Sequence, residues 1–252
     1  MSERIPPAVQ AFARAADAYE RGRPEYPPAA VRLIAERFDL RPGRTVLDLA
    51  AGTGKLTRPL LATGARVICV EPVAEMRARL PVEVEALDGV AEAIPLADGV
   101  VDAVTVGQAF HWFRPREALR EIHRVLRPGG GLALVWNIRD ERDPLQRAIS
   151  ELLDPLCGST PQAGRADARA RIAESGLFGP VEELRLPYGQ ELDADGIVDR
   201  FLSVSFVAAA PAERRAEIES ALRRLVAGRP QPVHLAYTTE LYVARRLVGA
   251  AS

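Results

Sequence analysis

Cysteine is almost missing: Cys69 and Cys157 are the only two in 252 residues. Two scattered thiols form neither a disulfide framework nor a zinc site. Cys69, inside the apolar run 66–71 (RVICVE), reads as a buried small hydrophobe. Three widely separated histidines give no metal-ligand spacing. Charge of one sign is lacking too, since 33 Lys and Arg nearly cancel 34 Asp and Glu. That removes any bulk attraction to nucleic acid or to an anionic membrane. No stretch approaches the ~18 apolar residues of a membrane span. The first ten residues, MSERIPPAVQ, carry early charge and no apolar core, so no secretory leader is expected. These absences point to a cytoplasmic protein with neither a nucleic-acid nor a membrane partner, and they leave monomer or homodimer open. What is present, 48% hydrophobic and 27% charged residues, is a globular profile. The length suits one large domain, or one domain carrying a smaller elaboration.

Short apolar runs alternate with helix-like segments through the middle of the chain. Residues 45–49 (TVLDL), 66–71, 82–87, 101–106 (VDAVTV) and 131–136 (GLALVW) read as strands. Helices are predicted over 55–61, over 72–80 with Pro72 at the first turn, and over 115–126, where Ala118, Leu119, Ile122, Val125 and Leu126 share a face. Arg127-Pro128-Gly129-Gly130 ends that last helix. Further along, 166–175, 194–207 and 212–227 read as helices, 181–186 as a sixth strand, and 233–245 (VHLAYTTELYVAR) as a long final strand. Residues 9–20 read as helical. Continuous apolar strands separated by helices imply a parallel sheet covered on both faces. The expected division is an N-terminal helical arm or cap (1–39), an α/β core (40–188), a helical insert serving as substrate cover (189–231) and a final core strand (232–252).

The strongest motif is 46–57, VLDLAAGTGKLT, a strand running into Gly52-Thr53-Gly54 and out into a helix. Glycines there permit unusual φ and let a ligand approach the backbone. A phosphate-binding P-loop would require glycine at 49 and Ser or Thr at 56, where Leu49 and Leu56 stand. A dinucleotide fingerprint would require a third glycine where Thr57 stands, which weakens a nicotinamide reading. The hydrolase elbow G-x-S-x-G occurs nowhere. Glu71 closes the second strand 19 residues after Gly52, near the offset at which a carboxylate accepts from ribose hydroxyls. Loop and acid together indicate an adenosine-type ligand.

With AYERGRPEYP (18–27), VLDLAAGTGKLT, VEPVAEM (70–76), AEAIPLADGVVDAVTVGQAFHWF (91–113) and LREIHRVLRPGGGLALVWN (119–137) in order, the chain resembles class I S-adenosylmethionine-dependent methyltransferases. Within that class it resembles the small-molecule group that includes trans-aconitate methyltransferase-like proteins. The resemblance implies a Rossmann-like three-layer sandwich, with a mostly parallel seven-stranded sheet, its last strand antiparallel, and a helical lid. It implies S-adenosyl-L-methionine as cofactor, no metal, and transfer to a small molecule. Asp48, Ala50 and the Gly52-Thr53-Gly54 loop would hold the methionine end, and Glu71 with Pro72 the ribose. Met76 would flank the adenine and the Ala91-Glu92 segment would meet its edge. Val90 stands where the family often has a polar side chain. Gly107 and Gln108 would lie near the sulfonium, and Tyr19 and Arg23 on the N-terminal arm would close over the cofactor.

His111 is the candidate base or anion-binding group, because imidazole titrates at ~6.5. Trp112 and Phe113 would shape the acceptor pocket. Lys55, the only lysine, is read as pointing away along the helix. His123 on a charged helix face and His234 near a strand start read as structural. The expected function is methylation of a small metabolite, with oxygen preferred as acceptor atom. A nicotinamide-dependent oxidoreductase and a non-catalytic binder of the same nucleoside are the alternatives.

Overall fold

A computed structural model describes residues 20–157 and 167–249. Seven strands, β1 (Thr45–Leu49), β2 (Arg66–Val70), β3 (Glu85–Leu87), β4 (Val101–Gly107), β5 (Leu126–Arg139), β6 (Glu182–Leu192) and β7 (Val233–Arg245), form one sheet in the order β3-β2-β1-β4-β5-β7-β6. The pairs among β1 to β5 are parallel, the last strands are antiparallel, and helices flank the sheet, which is the Rossmann-like three-layer sandwich expected. β1 is buried along its whole length and β2 from its second residue onward. That matches the continuous apolar runs, which only a sheet covered on both faces accommodates.

The helices are α1 (Pro28–Phe38), α2 (Thr57–Leu61), α3 (Ala74–Arg77), α4 (Pro115–Val125), α5 (Pro144–Cys157), α6 (Ala168–Glu174), α7 (Ala194–Leu202), α8 (Ser205–Ala208) and α9 (Ala212–Val226). α4 buries Ala118, Leu119, Ile122 and Val125, the face its spacing predicts. It also buries His123, whose Nε2 lies 3.0 Å from the Leu247 carbonyl, so this ring ties α4 to the chain after β7 instead of facing a charged surface. The predicted helix over 194–207 is two helices. Asp193 caps the first by accepting from the Gly196 N–H at 2.7 Å, and the chain breaks at Ser203 before α8. β5 starts at Leu126, so Pro128 to Gly131 lie inside strand bounds. The reason is close backbone approach: a Cβ on Gly130 would sit 2.6 Å from the Asp102 carbonyl oxygen, and one on Gly131 2.5 Å from that of Ala244. Glycines that look like a helix stop are spacers between strands.

The described residues fall into two compact units. The larger (26–136, 167–186 and 239–249) has a core that includes Val46, Leu60, Val67, Cys69, Ala103 and Val135. The smaller (20–25, 137–157 and 187–238) has its own core, in which Ile149 and Leu153 of α5 meet Phe201 of α7, Ile218 and Leu222 of α9, and Leu235 of β7.

Candidate active site

The chain leaves β1 for β2 and β3 on one side and returns through β4 and β5 on the other. The carboxyl ends of β1 and β4 therefore flank a topological switch point, where open α/β sheets bind ligands. Between β1 and α2 the backbone enters the left-handed region three times, at Ala50 (φ 57°), Gly52 (φ 59°) and Gly54 (φ 90°). Ala50 and Ala51 both donate their N–H to the Val70 carbonyl, at 2.8 and 3.2 Å, which holds that bend. An alanine kept at positive φ costs about 1–3 kcal/mol, and such strain gathers at ligand clamps. Nothing lies within 4 Å of a Cβ placed on Gly52, so glycine is needed there for its φ while the space beside it stays open. Thr53 is 1% exposed and its Oγ1 has no hydrogen-bond partner among the described residues.

Glu71 follows β2 directly and is 4% exposed. Its Oε2 accepts from the Gly52 N–H at 2.8 Å and its Oε1 from the Val73 N–H at 2.9 Å. The predicted acid and the predicted glycine loop are thus in direct contact. Burial pushes the Glu71 carboxyl up, while the two amide donors and Arg77 oppose that shift.

Asp48, on β1 beneath the loop, is 1% exposed. It accepts from Thr57 Oγ1 at 2.6 Å and from Thr105 Oγ1 at 3.3 Å, linking β1, α2 and β4. Its carboxylate is spent on the scaffold that carries the loop. Burial pushes its pKa up to about 7; the two hydroxyls work against burial and the nearby Glu71 charge works with it. A carboxyl with a raised folded-state pKa holds its proton more tightly in the native state. The stability it contributes is therefore full below ~4 and is lost as pH rises to about 7. Roughly three pKa units correspond to a change on the order of 4 kcal/mol. Asp48→Asn keeps an acceptor and cannot ionise. Its melting temperature relative to the parent is expected to climb between pH 4 and 7 and then level off, in a denaturation series across that window. A flat difference would mean that Asp48 is already ionised at pH 4.

Next to Glu71, Pro72 is half-buried and Met76 of α3 is buried. Ala91 is buried, and Glu92 Oε1 accepts from the Arg114 N–H at 2.7 Å. At the end of β4, Gly107 leads into Gln108, which takes φ 57° and donates its N–H to the Val135 carbonyl at 2.9 Å. His111 and Trp112 lie in a single 3-10 turn with ring centroids 5.0 Å apart, and Phe110 meets Phe113 edge-on at 5.7 Å. Tyr26 is a residue that sequence reasoning missed. It is buried, and its hydroxyl would lie 2.5 Å from a Cβ on Gly107. The available signal was its place between Glu25 and Pro27 in a stiff, proline-rich link.

Tyr19 lies outside the described residues. Arg23 belongs to the smaller unit, where its Nη2 donates to the Ser203 carbonyl at 3.0 Å. Lys55 is buried, unlike a side chain projecting along a helix. His234 Nδ1 lies 2.7 Å from Glu191 Oε1 on an exposed surface, a structural pairing. Among the described residues no group of His, Cys, Asp and Glu is placed to hold a metal, and no helix is long and apolar enough to cross a membrane.

Residues 47–134 match the methyltransferase domain family, a span holding the loop, Glu71 and the Gly107–Phe113 turn. An uncharacterized methyltransferase of Mycobacterium tuberculosis (strain H37Rv) is 41% identical over 227 residues, 87% of this chain and 86% of that protein. A demethylmenaquinone methyltransferase of Paenarthrobacter aurescens is 29% identical over 219 residues, 79% of this chain and 83% of that protein. The fold is shared with the YcgJ protein of Bacillus subtilis, with a TM-score of 0.58 at 20% identity, covering 88% of this chain and 99% of that one. It is also shared with a phosphoethanolamine N-methyltransferase of Haemonchus contortus in complex with phosphomonomethylethanolamine and S-adenosylhomocysteine, with a TM-score of 0.55 at 14% identity, covering 94% of this chain and 58% of that one. The nicotinamide-dependent oxidoreductase reading falls with these matches. The chain belongs to the class I S-adenosylmethionine-dependent methyltransferase family.

Proposed function

We propose that the larger unit binds S-adenosylmethionine beyond the carboxyl ends of β1, β2 and β4, and that the protein methylates a small-molecule acceptor at oxygen. The observation that carries this reading is the 2.8 Å bond between the Gly52 amide and Glu71. It joins the turn suited to one end of the ligand with the acid suited to its ribose. The residues fit the cofactor. Each Glu71 oxygen holds one amide and keeps a second lone pair, so a ribose diol can donate to it without displacing the loop. Thr53 Oγ1 is buried and lacks, among the described residues, a partner that a polar ligand group would supply. The open space beside Gly52 admits a ligand against the backbone. Met76 and Ala91-Glu92 supply the adenine side, and Asp48 fixes the loop from beneath through its bonds to Thr57 and Thr105.

When bound, the cofactor supplies a methyl group already activated on a positively charged sulfur. The chain's task is alignment, worth roughly 7–11 kcal/mol when an acceptor is held near contact distance. Gly107 and Gln108 keep the end of β4 narrow beside the reacting atoms. His111 takes the proton of a hydroxyl acceptor or pairs with an ionised one; such a base adds ~10²–10⁴-fold. Trp112 and Phe113 exclude water on the acceptor side.

A second reading, methylation at carbon, is favoured by the similarity to a demethylmenaquinone methyltransferase. Thermal-shift titration tests the shared part: S-adenosylhomocysteine is expected to raise the melting temperature and NAD to leave it unchanged, and the reverse would overturn the assignment. Turnover is read as S-adenosylhomocysteine accumulating over carboxylate, hydroxyl and activated ring-carbon acceptors. A methyl ester is cleaved by mild base and a new carbon–methyl bond is not. Saturable binding without turnover on any acceptor class would make the protein a non-catalytic binder.

A further inference from the structure

In the smaller unit, two guanidinium groups gather around one aromatic ring, and among the described residues neither has a carboxylate within ion-pair distance. Arg139 closes β5, and Arg200 stands near the end of α7, 5% exposed. The carbon centres of the two guanidiniums lie 5.6 Å (Arg139) and 5.2 Å (Arg200) from the centroid of Phe201, and that of Arg200 is also 5.9 Å from the Tyr237 ring. Arg200 Nε donates to Tyr237 Oη at 3.1 Å, and that hydroxyl donates onward to Gln190 Oε1 at 3.4 Å, so it is fully engaged. Nη1 of Arg139 and Nη1 of Arg200 are both buried without a hydrogen-bond partner among the described residues. Burial lowers the Arg139 pKa, and the charge of Arg200 lowers it further; Tyr237, Glu141 and Asp154 oppose this more weakly.

Stacking on an aromatic ring contributes about 0.5–2 kcal/mol to a cation and satisfies none of its N–H groups. A buried charge without a counter-ion, beside another of the same sign, is among the costliest arrangements a fold keeps. A two-oxygen anion cancels both defects at once, because guanidinium groups match carboxylate and phosphate oxygens in paired hydrogen bonds. Tyr188, whose ring centroid is 6.2 Å from that of Tyr237, extends the aromatic wall on which a ligand's unsaturated or apolar body would rest.

We propose that Arg139 and Arg200, backed by Phe201 and Tyr237, form a binding site in the smaller unit for the oxyanion of a small molecule, a carboxylate or a phosphate. The site stands on this unit alone and does not depend on the methyl-transfer reading. The test uses the full chain at constant ionic strength, with benzoate and citrate as carboxylate probes, inorganic phosphate as the other, and chloride as the reference. Saturable thermal stabilisation beyond chloride is expected from one of the two chemistries, and which one responds identifies the source. Arg200→Met and Arg139→Met are each expected to weaken that response at least 30-fold. Both should keep the S-adenosylhomocysteine shift as proof of folding, and Arg139→Met should not lower the melting temperature without anion. Should Arg200→Met fail to fold, the more accessible Arg139→Met gives the same reading. If neither carboxylate nor phosphate stabilises the parent beyond chloride, or if the variants respond to anions as the parent does, the two arginines are structural stacking partners and the site does not exist.

Discussion

Alanine in place of Glu71 should weaken S-adenosylhomocysteine binding at least a hundredfold and lower the melting temperature by several degrees. The carboxylate is buried and accepts from the Gly52 and Val73 amides at 2.8 and 2.9 Å. Removing it strands two N–H groups, each costing about 1–3 kcal/mol when left unpaired in a buried place. Relief of the burial penalty on the charge offsets part of this, which leaves a net loss of about 1–3 kcal/mol. In a chain of this size about 1 kcal/mol moves the melting point by roughly 2–4 °C. The affinity loss has a separate origin, because hydrogen bonds to an ionised acceptor are worth about 1.5–3 kcal/mol each and a ribose diol makes two. Glu71→Gln is expected to fall between parent and alanine, since its amide nitrogen must face one of the two N–H donors. Calorimetry with adenosine and with an analogue lacking both ribose hydroxyls separates the causes. The parent should prefer adenosine strongly and Glu71→Ala should hardly discriminate. Equal discrimination by both proteins would remove Glu71 from the ribose.

Gly107→Ala is the second large effect. The new methyl carbon would lie 2.5 Å from the Tyr26 hydroxyl and 3.0 Å from its ring carbon Cζ. Gly107 is not in the left-handed region, so the conflict is steric and backbone strain plays no part. Tyr26 is itself packed among Val46, Leu56 and Val135, so either it is expelled or the end of β4 shifts. Overpacking of this kind costs about 1–3 kcal/mol. A displacement on the order of 1 Å beside the reacting atoms costs about a hundredfold in rate. We expect Gly107→Ala to lose at least tenfold in S-adenosylhomocysteine affinity and a larger factor in turnover. Adding Tyr26→Phe deletes the atom at 2.5 Å and should restore much of both. If the double variant is no better than Gly107→Ala, the clash with the tyrosine hydroxyl is not the cause.

Much of the larger unit is legible in the sequence alone. The runs 45–49, 66–71 and 101–106 emerge as β1, β2 and β4 within a residue or two, and the long 233–245 segment is β7. α4 follows its apolar spacing. Weaker signals shifted: β3 shrank to Glu85–Leu87, and α3 opens at Ala74, so Pro72 precedes the helix instead of starting it. The glycines after Arg127 misled because a helix stop and a strand spacer look alike until the neighbouring backbone is known. α5 was not anticipated at all. Its apolar positions Leu145, Ile149 and Leu153 acquire a core only through contacts with α7, α8 and α9, some fifty to eighty residues away.

Local regularities of this chain follow from nearest-neighbour physics. Strand periodicity, the turn chemistry of Gly52 and Gly54 and an acid at a strand end are properties of short segments, so the order of residues alone established the fold class and marked the loop and the acid as candidates. Long-range facts do not follow in that way. That Glu71 grips the amide of Gly52, that Asp48 is buried against two threonine hydroxyls, that Tyr26 rests on Gly107 and that Arg139 and Arg200 converge on one ring are each the result of packing between distant segments. Burial, and with it the charge state of Asp48 and the unmet hydrogen bonds of the two arginines, exists only once the tertiary structure has removed water.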